Sequence, residues 1–312
     1  MNTGINEECG IRFTSQLLYP RYWVTWLGLF LAFFVAQLPN SARHTIGRWV
    51  GDRVYKNNKK RHNIVHTNLK IAFPNLSEQK YEELIQEHLQ WYGCALVDYS
   101  LLFFGSKRRL SAMLEIDGKE YIDEAVKNDQ SIIILLAHSV MLEFAPVALG
   151  LQYECFGSYK TSKNALLDWM IARSRCRHVS FVVSREEGMR KLIKSLIPKR
   201  LMIFLPDEDL GIKSAVFAPF FKTQKATLTT TARLAKMGKA IALPAFVWYD
   251  TVTQKYITQI SPPIVDYPTG NAEQDALLLN QSLEQLIKEH PEQYMWTMKW
   301  FRTRPTNETT LY

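Results

Sequence analysis

The chain has 312 residues, of which 47% are hydrophobic, and its 38 Lys and Arg against 30 Asp and Glu give a formal net charge of +8. This length is sufficient for one large domain or two small ones with a sizeable core. The positive charge predicts anionic partners. Because no helix-turn-helix or RNA-binding signature accompanies it, anionic lipid or an acidic carrier protein fits better than nucleic acid. The four cysteines have no CxxC or metal-ligand spacing, so the sequence predicts no metal site.

The first marked feature along the chain is an uncharged apolar run of 17 residues, Tyr22–Leu38. As a helix it is about 25 Å long, near the lower limit for a membrane span. Trp23 and Trp26 lie at its start, where aromatic side chains suit a membrane interface. No basic n-region or cleavage site is present, so the run predicts an uncleaved single anchor over about 22–38. It divides the chain into an N-terminal segment, 1–42, and a domain, 43–312. A buried amphipathic helix is the alternative.

A basic cluster follows this run. Only one acid, Asp52, stands against eight basic residues there: Arg43, Arg48, Arg53, Lys56, Lys59, Lys60, Arg61 and Lys70. The positive-inside tendency places residues 43–312 on the cytoplasmic side of the membrane. The same cluster would attract anionic lipid headgroups.

The most informative segment begins with an apolar run, Ile132–Leu136, which is typical of a strand in a parallel sheet covered on both faces. His138 follows at the carboxyl end of this strand, where ligands bind in open α/β sheets. Glu143 falls in the first turn of the predicted next helix, close enough to fold back on the imidazole. A histidine oriented by a carboxylate can act as a general base toward a substrate hydroxyl. The spacing alone is equally compatible with a structural histidine.

The rest of the chain alternates helix and strand. Ser77 is the predicted N-cap of an amphipathic helix. After the Ile132 strand, we predict strands at 153–159, 179–183, 201–205 and 240–248, helices at 165–175, 188–197, 228–236 and 273–289, and a hairpin-like pair near 255–260. This pattern predicts an α/β fold with a mixed central sheet flanked by helices and preceded by the anchoring helix.

Polar residues gather after two of these elements. Three acids, Asp207, Glu208 and Asp209, follow the 201–205 strand and could bind Mg²⁺ or hold nearby arginines; a solvated loop is the alternative. The segment 160–200 carries eleven basic residues against three acids. Three of its arginines fall two apart and cannot all face one side of a helix, so at least one is expected to turn inward: Arg173, Arg175 and Arg177.

Several segments together resemble, nearly end to end, the late acyltransferases of lipid A biosynthesis, the Kdo-lipid A lauroyl/myristoyl transferases of the lysophospholipid acyltransferase-like group. The segments that carry the resemblance are Tyr19–Trp23, Asn68-Leu69, Phe73-Pro74, the HX4E block His138–Glu143, Pro206–Asp209, Phe217–Phe221, Pro291–Trp296 and Arg302–Pro305.

The resemblance implies a bacterial inner-membrane enzyme with a glycerolipid-acyltransferase-like fold. It would move a fatty acyl group from acyl carrier protein to a secondary hydroxyl on an acyl chain of a lipid A precursor, Kdo-lipid IVA or its monoacylated product. His138 would be the general base and Glu143 its orienting partner. Arg175 is the first candidate to stabilise the oxyanion. Further candidates are Lys160 and Asn164, while Asp207 and Asp209 are assigned to the polar scaffold rather than to a metal.

The implied chemistry needs no cofactor. Because no nucleophile-elbow pattern surrounds His138, direct transfer in a ternary complex is expected rather than an acyl-enzyme. The expected partners are acyl carrier protein, the phosphates and Kdo of the acceptor, and anionic inner-membrane lipids.

One departure bears on the acceptor. Met298 stands where some members have a histidine, which favours the subgroup acting later in the pathway and leaves open which hydroxyl is acylated. Two alternatives remain: an acyltransferase for another glycolipid or a phospholipid, and a non-catalytic lipid-binding protein of the same fold.

Overall fold

The computed structural model describes residues 13–159, 162–184, 188–306 and 308–312. The helices are α1 Trp23–Gln37, α2 Asn40–Asn57, α3 Lys59–Ala72, α4 Glu78–Phe104, α5 Lys107–Met113, α6 Lys119–Lys127, α7 Phe144–Gly150, α8 Ala165–Arg175, α9 Gly188–Ser195, α10 Thr230–Gly238 and α11 Ala272–Glu289. The strands are β1 Leu114–Asp117, β2 Ser131–Leu136, β3 Cys155–Tyr159, β4 Phe181–Ser184, β5 Leu201–Phe204, β6 Ala215–Phe220, β7 Thr223–Leu228, β8 Ala240–Asp250 and β9 Lys255–Ile260.

Seven of these strands form one sheet in the order β1-β9-β8-β2-β5-β3-β4. Its neighbouring strands are parallel except β8 and β9, which form an antiparallel hairpin. The predicted α/β fold with a mixed sheet flanked by helices is therefore confirmed. The separate antiparallel hairpin β6–β7, which packs against α11, was not predicted.

The core lies on both faces of the sheet. In β2, Ile133 and Leu135 pack into one buried cluster, whereas Ile132, Ile134 and Leu136 pack into the other. Successive side chains of a strand point to opposite faces, so a strand that is covered on both faces needs an unbroken apolar run. The strand that precedes His138 is therefore central in the sheet and buried on both faces.

Helices α2 and α4 cross at unusually close range. A Cβ atom built on Gly47 of α2 would lie 2.5 Å from the Cα of Cys94, and one built on Gly93 of α4 would lie 2.6 Å from the backbone nitrogen of Gly51. Ser77 caps α4 as predicted, since its hydroxyl accepts from the backbone N–H of Lys80 at 3.2 Å. Buried Arg43 donates from Nε to Asp98 at 2.8 Å across the same crossing, so it does not belong to the basic surface cluster.

Helix α1 corrects the anchor prediction. It has 15 residues, about 22 Å at 1.5 Å per residue. No helix within the described ranges is both long and apolar enough to span a bilayer, so a single anchor over 22–38 is not supported. The helix stops at Leu38, which is extended ahead of Pro39. The Leu38 carbonyl accepts from Arg43 at 2.8 Å and from Arg109 at 2.7 Å.

The outer face of α1 is nevertheless apolar and open. Its large exposed side chains are Trp23, Val24, Leu27, Phe30, Leu31, Phe33 and Phe34. On the following two helices, six of the eight basic residues noted above are exposed: Arg48, Arg53, Lys56, Lys59, Lys60 and Lys70.

Candidate active site

His138 lies just beyond the carboxyl end of β2, as predicted. The backbone around it is fixed by the segment near the C-terminus, because its carbonyl oxygen accepts from the N–H of Met295 at 2.9 Å and Ser139 forms an antiparallel bridge with Tyr294. Trp300 packs beside the imidazole with ring centroids 5.5 Å apart. The His138 side chain is 13% exposed, so it is largely buried rather than on a loop tip.

The carboxylate that holds the imidazole is Asp207. Its Oδ1 lies 2.6 Å from Nδ1 of His138, and its Oδ2 accepts from the backbone N–H of His138 at 2.9 Å. Because β5 neighbours β2 in parallel, the residues that follow the two strands meet at one edge of the sheet. A proton on Nδ1 directed at Asp207 makes Nε2 the basic nitrogen of the neutral ring.

The environment keeps Asp207 ionised. Burial alone would raise the pKa of this carboxyl, but the charge of His138 and the two hydrogen bonds that it donates outweigh burial and lower the pKa below its usual value. The hydroxyl of Tyr294 donates to Oδ2 at 3.0 Å. The carboxylate is thus fully hydrogen-bonded on its buried side, as a buried charge must be.

Glu143 has a different partner from the predicted one. It lies at the N-cap of α7 and forms a two-point ion pair with Arg175, the last residue of α8, with Nε to Oε2 at 3.0 Å and a second bond from the terminal guanidinium nitrogen to Oε1. Nδ1 of His138 is thus paired with Asp207 and Glu143 with Arg175, and the role of Glu143 as the orienting partner of His138 stays a prediction. Arg175 is the arginine of the predicted triplet that turns toward Glu143.

Asp209 joins the acidic loop to the C-terminal segment. Its carboxylate accepts from the backbone N–H and the hydroxyl of Thr303, both at 2.7 Å, and from the N–H of Gly211 at 3.1 Å. Within the described residues, no group of three His, Cys, Asp or Glu side chains could hold a metal ion. The two aspartates of the acidic loop thus have defined partners, because Asp207 contacts His138 and Asp209 contacts Thr303 of the C-terminal segment.

The two weaker oxyanion candidates have different outcomes. Lys160 lies outside the described residues. Asn164 caps α8, because its side-chain oxygen accepts from the N–H groups of Leu166 and Leu167 at 3.0 and 3.2 Å. Its side-chain amide donates to the hydroxyl of Thr25 on α1 at 3.0 Å. The oxygen therefore caps α8 and the amide nitrogen joins α8 to α1, so both polar ends of the Asn164 side chain have structural partners.

Sequence reasoning missed Tyr294, Trp300 and Lys225. Tyr294 belongs to the noted family segment Pro291–Trp296, and Trp300 lies between that segment and Arg302–Pro305, but no spacing indicated that they reach the site. Lys225 is fully buried on β7 and is electrostatically coupled to Asp207 and Asp209. These side chains come from segments that are far apart in the sequence and meet only through tertiary packing.

An apolar cavity of about 120 Å³ lies beside the Glu143–Arg175 pair. Helices α4 and α8 form its walls, with Tyr99, Leu102, Phe103, Ile171 and Ser174 as the further lining residues. The cavity is mainly apolar, with the Glu143–Arg175 pair among its lining residues.

Comparison with known proteins finds relatives that match nearly the whole chain. Over 302 residues the chain is 32% identical to the lipid A biosynthesis lauroyltransferase of Escherichia coli (strain K12), covering 96% of this chain and 98% of that protein. It is 28% identical over 312 residues to the lipid A biosynthesis myristoyltransferase of the same organism, covering 98% of this chain and 95% of that protein. The crystal structure of the 1-acyl-sn-glycerophosphate acyltransferase from Thermotoga maritima is similar to it with a TM-score of 0.34 and 13% identity, over 75% of this chain and 96% of that one.

A family model also matches nearly the whole chain. It is described as bacterial lipid A biosynthesis acyltransferase and covers residues 11–303, which include the His138–Asp207 and Glu143–Arg175 pairs. The chain therefore belongs to the bacterial lipid A biosynthesis acyltransferase family.

Proposed function

We propose that this protein transfers a fatty acyl group from the thioester of acyl carrier protein to a secondary hydroxyl on an acyl chain of a lipid A precursor. The observation that carries the proposal is the 2.6 Å contact between His138 and buried Asp207 at the carboxyl edge of the sheet. The two Escherichia coli relatives are lipid A biosynthesis acyltransferases by name, which makes a lipid A precursor the first acceptor to test.

His138 is the general base of the proposed reaction. A secondary hydroxyl is a poor nucleophile, so Nε2 takes its proton as the oxygen attacks the thioester carbonyl carbon. Asp207 keeps the proton of the neutral ring on Nδ1 and stabilises the imidazolium that forms. When the tetrahedral intermediate collapses, the C–S bond breaks and the imidazolium returns the proton to the leaving thiolate. The acyl group then forms an ester with the acceptor oxygen.

Arg175 is the proposed stabiliser of the oxyanion. Its two-point contact with Glu143 fixes the plane of the guanidinium, which leaves less side-chain entropy to lose when the negative charge develops. The apolar cavity next to this pair supports placing a reacting hydrocarbon chain between α4 and α8.

The surface supports attachment to the cytoplasmic face of the inner membrane. The apolar outer face of α1 suits a helix that lies in the lipid interface, and the exposed basic residues of α2 and α3 suit anionic headgroups. The net charge of +8 also complements an acidic carrier protein and a phosphorylated acceptor.

The deciding experiment incubates the purified protein with acyl carrier protein thioesters and Kdo-lipid IVA or its monoacylated product, and measures the product by mass spectrometry. Wild type is compared with His138→Ala and with His66→Ala, a partly exposed histidine on α3 that serves as a control. An added acyl mass that disappears only in His138→Ala supports the proposal, and the mass gives the chain length. Product from a lysophospholipid but not from the lipid A precursor would assign another acceptor. Unchanged product in a folded His138→Ala variant would reject the base.

A further inference from the structure

A cavity of about 510 Å³ opens between α3 and the C-terminal segment. One wall is formed by four residues of α3: Lys60, Asn63, Ile64 and Thr67. Residues three or four positions apart lie on the same face of a helix, so these side chains form a continuous wall. They present an ammonium, an amide and a hydroxyl group to the cavity. Its volume lies within the usual range for a small-ligand site, about 300–1,000 Å³.

The opposite wall comes from the segment that also reaches His138. It is formed by Lys299, Leu311 and Tyr312. Lys299 is followed directly by Trp300, whose ring packs beside the imidazole of His138 with the ring centroids 5.5 Å apart. Because consecutive Cα atoms are only about 3.8 Å apart, the cavity and the candidate site share one short piece of chain.

The two walls are fixed to each other by Asn68 of α3. Its side-chain amide donates to the carbonyl oxygens of Trp296 and Met298, both at 2.7 Å, and its side-chain oxygen accepts from the hydroxyl of Tyr312. That hydroxyl also accepts from the backbone N–H of Phe301 at 3.2 Å. Because these bonds hold both walls in place, a ligand would lose little free energy to ordering the cavity.

The cavity is positively charged. Lys60 and Lys299 are its charged side chains, and none of the described residues that line it is acidic. Neither ammonium has an ion-pair partner within the described ranges, and that of Lys299 lies 5.1 Å from the ring centre of Tyr312. Glu308, an acid in the same C-terminal segment, pairs with Arg304. The two ammoniums are therefore available to an anion, and lysine commonly binds phosphate.

We propose that this cavity binds a phosphate group carried on a sugar. Each of the two ammoniums would donate a charge-assisted hydrogen bond to the phosphate oxygens. Asn63 and Thr67 offer further donors, and Leu311 and Tyr312 offer an apolar wall to the face of a sugar ring. The inference rests on the proposed function, in which the ligand is the phosphorylated sugar headgroup of the lipid A precursor. The cavity then holds the head of the acceptor while one of its acyl chains presents the hydroxyl to His138.

The first test separates acceptor binding from turnover. Initial rates are measured for wild type, Lys60→Met and Lys299→Met with Kdo-lipid IVA and with the same acceptor after enzymatic removal of its phosphates. We expect each substitution to raise KM for the phosphorylated acceptor about tenfold, because one charge-assisted hydrogen bond is lost. The kcat and the KM for the acyl donor should stay within about twofold of wild type. Lys127→Met is the control for the loss of one positive charge, because Lys127 is an exposed lysine at the end of α6.

The dephosphorylated acceptor identifies the group that is bound. Wild type should show a similarly raised KM for it, and the two substitutions should have no further effect. A KM that rises equally for both acceptors would assign the cavity to another anion of the acceptor, such as the carboxylates of Kdo, and would overturn the inference. A raised KM for the acyl donor would place the carrier protein here and would also overturn it, as would unchanged kinetics.

The second test does not depend on turnover. The lysines of the full-length protein are labelled with ¹³C-methyl groups, and the NMR signals of Lys59, Lys60 and Lys299 are assigned through their Met variants. Kdo-lipid IVA in detergent, its dephosphorylated form and inorganic phosphate are added in separate titrations. We expect the signals of Lys60 and Lys299 to shift saturably with the phosphorylated lipid and not with the dephosphorylated one. The signal of Lys59, the exposed neighbour of Lys60 on α3, should stay near its starting position.

The other outcomes are equally decisive. Shifts with inorganic phosphate but not with the lipid would indicate a site for free phosphate and would overturn the assignment to a sugar headgroup. Equal shifts at Lys59 would show a general attraction to the basic surface and would overturn the site. No shift in any titration would reject the inference even if wild type is active, whereas the expected shifts in an inactive wild type would reject only the proposed reaction.

Discussion

Two carboxylates near His138 have separate partners, and this separation defines separate roles. Asp207 contacts the imidazole through Nδ1 and through the backbone N–H. Glu143 contacts Arg175 through two hydrogen bonds. One carboxylate therefore orients the proposed base, and the other orients the proposed oxyanion stabiliser, although a five-residue spacing in the sequence pairs His138 with Glu143.

This division predicts a pattern of coupling between variants. Asp207→Asn should lower kcat/KM by about 100-fold or more, because the ring loses the partner that fixes its tautomer. Glu143→Gln and Arg175→Gln should be strongly non-additive, with a coupling of about 1 kcal/mol or more, since either change disrupts the same pair. Glu143→Gln and Asp207→Asn should be additive within about 0.5 kcal/mol.

The measurement is kcat/KM for the single and double variants at one pH, with circular dichroism to confirm folding. Strong coupling between Glu143 and Asp207, and none between Glu143 and Arg175, would restore Glu143 as the partner of His138.

At the scale of secondary-structure elements, the close crossing of α2 and α4 depends on glycines. A Cβ on Gly93 would meet backbone atoms of Gly47 and Gly51, and backbone cannot move aside as a flexible side chain can. Gly93→Ala should therefore lower the free energy of unfolding by more than about 2 kcal/mol, despite the better helix propensity of alanine. Gly28→Ala is the matched control, because a Cβ there meets nothing within 4 Å.

Urea unfolding of both variants measures the difference. We expect Gly28→Ala to be neutral or slightly stabilising. Equal free energies of unfolding for the two variants would show that the helices separate easily at this crossing.

The apolar outer face of α1 gives a second prediction at this scale. Leu27 and Leu31 are 58% and 56% exposed, one turn apart, and burying a leucine in an apolar phase is worth about 1.5–3 kcal/mol. Replacing both with Glu should reduce binding to vesicles of anionic phospholipid by at least about tenfold, as measured by co-sedimentation. Val265→Glu is the control, since Val265 is 76% exposed in the loop between β9 and α11. Vesicle binding that falls equally in the control would contradict attachment through α1.

At the scale of the whole molecule, local patterns predicted the strands but not their neighbours. The apolar run before His138 identified β2, and the alternation of helix and strand identified the α/β class. The contact between His138 and Asp207 depends on β5 lying beside β2, which is a property of the sheet order and has no local spacing. Likewise, nothing in the local sequence Thr-Gln-Lys-Ala-Thr indicates that Lys225 is completely buried in the structure.

The C-terminal segment that completes the site lies more than 150 residues after His138 in the sequence. It supplies Tyr294 to Asp207 and Trp300 to His138. Asn68 of α3 holds this segment by donating to the carbonyl oxygens of Trp296 and Met298, both at 2.7 Å. Two family segments noted in the sequence, Asn68-Leu69 and Pro291–Trp296, are thus in direct contact although they lie near opposite ends of the chain.

His88 connects the same segment to α4 and makes it sensitive to acid. Its buried ring directs Nδ1 at the carbonyl oxygen of Glu292 at 3.0 Å, and burial lowers its pKa to about 4. Between pH 6.5 and 4 the unfolded chain binds a proton here that the folded protein does not. The free energy of unfolding should therefore fall as the pH drops through this window, by up to about 3 kcal/mol from this residue alone.

His88→Asn isolates the contribution, because the asparagine amide can still donate to the Glu292 carbonyl but does not titrate. Urea unfolding from pH 7 to 4 should show a shallower decline for His88→Asn than for wild type, whatever the absolute stability of the variant. Parallel curves for wild type and His88→Asn would contradict the prediction. The expected result would place one acid-sensitive contact where α4 meets the segment that carries Tyr294, next to the candidate site.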